Sequence, residues 1–129
     1  MSAATAVALS SIGQIAINAQ DVKRATAFYR DKLGLKFLFE AGNLAFFDCG
    51  GVRLMLDRPE KPEFDHPSSI IYFNVADIKA AHAELAARDV RFEDTPHMIA
   101  RLADREVWMA FFRDSEQNLM ALMSEVPKK

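Results

Sequence analysis

The chain has 129 residues, of which 50% are hydrophobic and 26% charged, and that size and balance predict a single globular domain. Sixteen Lys and Arg against 18 Asp and Glu give a formal net charge of −2, without the basic footprint of a nucleic-acid binder. Cys49 is the one cysteine, which excludes an internal disulfide framework and a multi-cysteine zinc site within one chain.

Residues 1–11 are rich in Ala and Ser, and no Lys or Arg precedes Lys23. The positive start of an export signal is therefore missing, and a flexible tail is expected. No apolar run approaches membrane-spanning length, so no membrane partner is expected and the cytoplasm is the default compartment. Ile12 to Ala19 reads as a strand, with Ile15, Ile17 and Ala19 on one face and Gln14, Ala16 and Asn18 on the other. Asp21 predicts the cap of a helix carrying Val22, Ala25, Phe28, Tyr29 and Leu33, with Gly34 suited to the left-handed stop. Leu35 to Glu40 is the next strand, and Leu44 to Asp48 and Val52 to Asp57 form a hairpin around Gly50 and Gly51. Pro59, Pro62 and Pro67 among charged residues make 58–68 a linker. A strand near Ser69 to Val75, a helix from Asp77 to about Arg88 and a short strand from Val90 to Glu93 follow.

The chain repeats itself. Gln14 to Ala27 returns 56 positions later as Ile70 to Ala83, with Ile15/Ile71, Asn18/Asn74, Asp21/Asp77 and Lys23/Lys79 identical. Further on, Ala45, Phe46 and Phe47 match Ala110, Phe111 and Phe112, and Leu54 and Met55 match Leu119 and Met120, both 65 positions later. The wider offset places an insertion at 94–104, either a lid over a cavity or a plain surface loop. A match this ordered predicts one βαβββ unit used twice, over 12–57 and 69–125.

Phe28 to Leu35, within the run from Gln14 to Phe39, resembles the first module of the vicinal oxygen chelate superfamily. This is the group of glyoxalase I, bleomycin-resistance proteins and extradiol dioxygenases. Phe112 to Leu119 resembles its closing hairpin, with Ser115 and Gln117 where Pro and Gly are usual. The resemblance spans nearly all of residues 12–125, as a single domain. It implies an α+β fold in which two βαβββ modules curl into an incomplete mixed barrel, helices outside, with a ligand cavity within. Metal-using members carry four inward ligands, and those places fall here on Gln14, Met55, Ile70 and Ala121, or on Met120 if the internal repeat sets the last register. Met, Ile and Ala offer no hard ligand, so no metal and no other cofactor is expected. A rebuilt metal site would have to draw on His97 with Asp94, Asp104 or Glu106, since His66 lies in the linker and His82 on the second helix.

Strand parity puts Asn18, Tyr72 and Asn74 on the face of Gln14, and Arg53 and Asp57 on that of Met55. Trp108, with the Phe46/Phe47 and Phe111/Phe112 pairs, supplies the aromatic groups for a pocket, core or dimer contact. The expected cavity residues are Gln14, Arg53, Met55, Ile70, Tyr72, Trp108 and Ala121. Two functions remain open. One is a metal-free protein that holds a small organic molecule in the barrel. The other is a lyase, isomerase or dioxygenase relative of glyoxalase I, using a displaced metal or acid–base catalysis by Glu106, Tyr72 or Asp57. A homodimer is expected, because open strand edges and exposed aromatic surface are costly in water.

Overall fold

The two copies of the repeat fold alike because the same residue types punctuate both. In the computed structural model, which describes residues 7–127, β1 (Gln14–Asn18) leads to α1 (Val22–Ala27), extended by one π-helical turn over Phe28–Lys32. The first unit closes with β2 (Lys36–Ala41), β3 (Leu44–Cys49) and β4 (Val52–Asp57). The second has β5 (Tyr72–Asn74), α2 (Ile78–Ala87), β6 (Arg91–Phe92), β7 (His97–Arg101), β8 (Arg105–Arg113) and β9 (Leu119–Pro127). Residues 7–11 are exposed and carry neither helix nor strand; the rest of the expected tail lies outside the described residues.

Asp21 and Asp77 cap their helices in the same way. Both sit in extended backbone at φ −126° and ψ 98°. Their carboxylates accept the N–H of Arg24 at 3.0 Å and of Ala80 at 3.1 Å, which satisfies a donor that the helix leaves free. Gly34, at φ 76°, takes the left-handed conformation after the first helix, and Asp89, at φ 67°, takes it after the second.

Each unit makes a mixed sheet. The first runs β1-β4-β3-β2, with β1 parallel to β4. The second runs β5-β9-β8, with β5 parallel to β9 and with β6 and β7 both on the outer edge of β8. No strand pair among the described residues joins the two sheets, so the architecture is α+β without a closed barrel. No described helix is long and apolar enough to cross a membrane.

The segment expected to loop out differs from that expectation. Most of 94–104 is β7, hydrogen-bonded to β8, and the Asp94 carboxylate anchors its start by accepting the Phe111 N–H at 2.8 Å. The insertion therefore lengthens the second unit's hairpin: β8 and β9 have nine residues each, where β3 and β4 have six.

Alternation sends Ile17, Phe47, Leu54 and Leu56 of the first sheet, and Phe112, Met120 and Leu122 of the second, into one core with Tyr29, Ile78 and Leu85. The helices thus cover one face of each sheet, α1 against β3 and β4, α2 against β8 and β9. The opposite faces stay open.

Polar contacts lock the units together. The Tyr29 hydroxyl donates to Asp114 at 2.7 Å, with both residues buried. Asp114 also accepts the N–H groups of Glu116 and Asn118 at 2.8 Å each and the Asn118 amide at 2.9 Å. That amide donates in turn to the Asn18 carbonyl at 2.8 Å, and Arg24 pairs with Glu116 at 2.8 Å. The turn between β8 and β9 is a docking element for the first unit.

Candidate functional site on the open sheet faces

On the first sheet the register sets Gln14 beside Arg53, Ala16 beside Met55 and Asn18 beside Asp57. Gln14 uses both ends of its amide. Its oxygen accepts from Arg53 Nε at 3.0 Å, and its nitrogen donates to the Met55 sulfur at 3.5 Å. The Arg53 guanidinium lies 5.3 Å from the centre of the Phe46 ring, which stacks on Phe39 at 4.6 Å. Three predicted residues therefore meet in one contiguous patch with an aromatic floor. The sequence offered Phe46 and Phe47 together for a pocket, core or dimer contact without choosing a face, and it missed Phe39, because a bulge between Phe37 and Phe39 shifts the parity of β2.

The first sheet's open face also carries acid. Burial pushes the Asp57 carboxyl up from its ordinary value, and the nearby Glu60 charge adds to the rise. The linker closes this end. The Asn18 N–H donates to the Ser68 hydroxyl at 2.9 Å, and its amide donates to Asp65 at 3.1 Å and to the His66 carbonyl at 3.3 Å.

On the second sheet Tyr72 pairs with Ala121, which pairs in turn with Phe111. The Tyr72 and Phe111 rings meet edge to face at 5.9 Å above the fully buried Ala121. Parity splits each phenylalanine pair, since Phe46 and Phe111 face outward while Phe47 and Phe112 enter the core. Register also decides the fourth place. Ala16 faces Met55 and its repeat partner Tyr72 faces Ala121, so Met55 corresponds to Ala121, and Met120 belongs to the core. The sequence match to Met120 slips by one because five residues separate the paired Arg113 and Leu119, where four separate their counterparts Asp48 and Arg53.

Two predicted residues stand apart. Ile70 precedes β5 and is 39% exposed. Trp108 has the parity of Ala110 and Phe112 and therefore lies on the helix side, with Lys79 of α2 5.3 Å from its ring and its indole N–H on Glu106 at 3.2 Å. Its place in the expected cavity is corrected by that parity. No hydrogen bond among the described residues joins the Gln14 group to the Tyr72 group.

The donors fit a divalent metal poorly. Gln14 carries the one hard donor among the four places, and a guanidinium already occupies its oxygen. A second cation there would meet Arg53 at close range. Of the substitute ligands, His97 Nδ1 lies 3.7 Å from an Asp94 carboxylate oxygen and bonds the Thr95 carbonyl at 2.9 Å, while Glu106 is taken by Arg101 at 3.3 Å. Among the described residues no three His, Cys, Asp or Glu side chains come together to hold an ion.

A βαβββ unit and a second like it with one added strand, β7, with capped helices on one side and open faces on the other, define a glyoxalase-type fold. The chain belongs to the glyoxalase/bleomycin resistance protein/dioxygenase superfamily, whose family model matches residues 11–122. It is 29% identical over 126 residues to the uncharacterized protein YraH of Bacillus subtilis, covering 84% of this chain and 94% of that protein. Among solved structures it is similar to a lactoylglutathione lyase from Agrobacterium tumefaciens, with TM-score 0.69, 24% identity, and 90% and 94% of the two chains covered. A virulence protein from Salmonella typhimurium superposes with TM-score 0.76 at 18% identity, covering 93% of this chain and all of that one. At these identities the structural likenesses carry the fold alone.

Proposed function

We propose that this protein is a metal-free binder of a small organic molecule, held against the open sheet faces and enclosed when two copies pair. The observation that carries the reading is the Arg53–Gln14–Met55 group. A position suited to a metal would present several hard donors; instead this one presents a cation, an amide already bonded at both ends and a thioether. Such a patch suits a ligand with an aromatic or polarisable body and an acceptor for the remaining guanidinium N–H groups. Tyr72 and Phe111 add a second apolar surface whose phenol end supplies one hydrogen bond.

Pairing follows from the same faces. Tyr72 is 40% exposed and Phe39 46%, which is surface a second copy would cover with the same patch. A thermal-shift screen of small aromatic and heteroaromatic metabolites, run with chelator and with added divalent ions, tests the reading. A hit must raise the melting temperature equally in both conditions and lose its effect in Arg53→Ala. Hits that require the metal would overturn it.

The fold is shared with a lactoylglutathione lyase, and acid–base catalysis without a metal is a second reading, favoured by one observation, the raised carboxyl of Asp57. Turnover of a bound hit that disappears in Asp57→Asn, with binding retained, would establish it.

A further inference from the structure

The seam between the units, on the helix side and remote from the open faces, contains an apolar cleft of about 340 Å³. Leu33 and Leu35 from the end of the first helix, Leu85 from α2, and Phe73, Phe112 and Leu122 from the second sheet wall it. Leu85, Phe112 and Leu122 are buried, while the other three are half-buried around the opening. These walls come from five separate segments held by both units, so closing up the hollow would require the units to shift against each other. The latch between Tyr29 and Asp114 opposes that shift. A pre-formed hollow of this size, mostly apolar with a few polar groups at its edge, is the usual form of a small-molecule site.

The edge supplies the polar group. Arg88, at the end of α2, donates to the Lys32 carbonyl at 2.9 Å and pairs with the Glu84 carboxylate. The carbonyl bond crosses from one unit to the other and holds the guanidinium at the mouth. The Glu84 pair is weakly held, since its side chains are 42% and 66% exposed and an exposed pair one helical turn apart contributes little. A carboxylate brought in on an apolar body would meet an oriented guanidinium, and Glu84 would turn into solvent as it arrives. The planar fork of Arg suits that exchange.

We infer that this seam is a second binding site, for a small monocarboxylate with an alkyl or aryl body, independent of the open-face reading above. The body lies among Leu33, Leu85 and Phe112, and the carboxylate takes the place of Glu84 on Arg88.

Octanoate, octanol and octylamine, titrated into the full chain below their aggregation range and followed by calorimetry and melting temperature, test it. Octanoate should bind tightest, octanol roughly tenfold or more weaker for want of the charged contact, and octylamine weakest. Arg88→Gln should remove the advantage of octanoate over octanol. Leu85→Trp, which fills the cleft, should abolish octanoate binding, and Ala81→Leu narrows the same cleft with less risk to folding. Met55→Trp, which obstructs the open face, should leave octanoate binding within about twofold, since the two sites share no residue. Equal binding of all three probes, or no octanoate binding, would overturn the inference. So would octanoate binding that survives both cleft variants or vanishes in Met55→Trp, whereas failure of the metabolite screen above would leave it standing.

Discussion

At Asp114 four donors converge on one buried carboxylate, and one of them, the Tyr29 hydroxyl, comes from the other unit. Removing the acceptor leaves all four donors short of a partner, so Asp114→Ala is expected to destabilise by about 3 kcal/mol or more, while Tyr29→Phe costs about 1–2 kcal/mol. Urea unfolding of the two variants gives that ranking directly. Burial, and then the Asp114 charge and hydrogen bond, raise the Tyr29 hydroxyl well above its ordinary value. With the folded phenol raised, its contribution is intact below about pH 10 and is lost as pH climbs through the higher folded value. Tyr29→Phe should therefore flatten the alkaline limb of the stability profile. Glu116 governs the other limb. Burial pushes its carboxyl up, but bonds from Arg24, the Asp21 N–H and Ser115 outweigh that and hold it below its ordinary value. Its contribution is present above about pH 4.3 and is lost as pH falls through the depressed value, a decline that Glu116→Gln should soften. A profile unchanged in both variants would contradict this pair of assignments.

Among the elements, the caps were the most legible feature. Asp21 and Asp77 announce two helix starts at equal spacing because cap chemistry is local and needs only one carboxylate before a helical run. Asp21→Ala and Asp77→Ala are each expected to cost about 1 kcal/mol in chemical denaturation, and near-additively in the double variant, since the caps share no partner. Features that depend on pairing were harder to read. The β2 bulge that turns Phe39 outward, the folding of 94–104 into β7, and the extra residue that moves the fourth place from Met120 to Ala121 are all set by neighbouring strands. A one-residue slip reverses every side chain of a strand. Trp108 was misplaced for this reason: an aromatic residue signals burial without saying on which face. The contact between Gln14 and Arg53 also lay beyond the sequence, since it joins residues 39 positions apart through a parallel pairing.

For the molecule as a whole, the proposed enclosed site needs a second copy. The exposed Phe39 and Tyr72, and the free edges of β2 and β5, leave surface that a single 14.5 kDa chain does not cover. Sedimentation equilibrium at micromolar concentration is expected to return about twice the chain mass, and Tyr72→Asp should weaken the association by introducing a charge without a partner into the covered face. A monomer across that range would remove the enclosed site from the account. The open face of the first sheet is proposed to serve a ligand rather than a metal ion, because Arg53 already bonds the one hard donor at the four places. Elemental analysis of protein purified without chelator tests this most directly. Far less than one transition-metal ion per chain is expected, whereas a ratio near one that falls in Gln14→Ala would show that the face holds a metal after all.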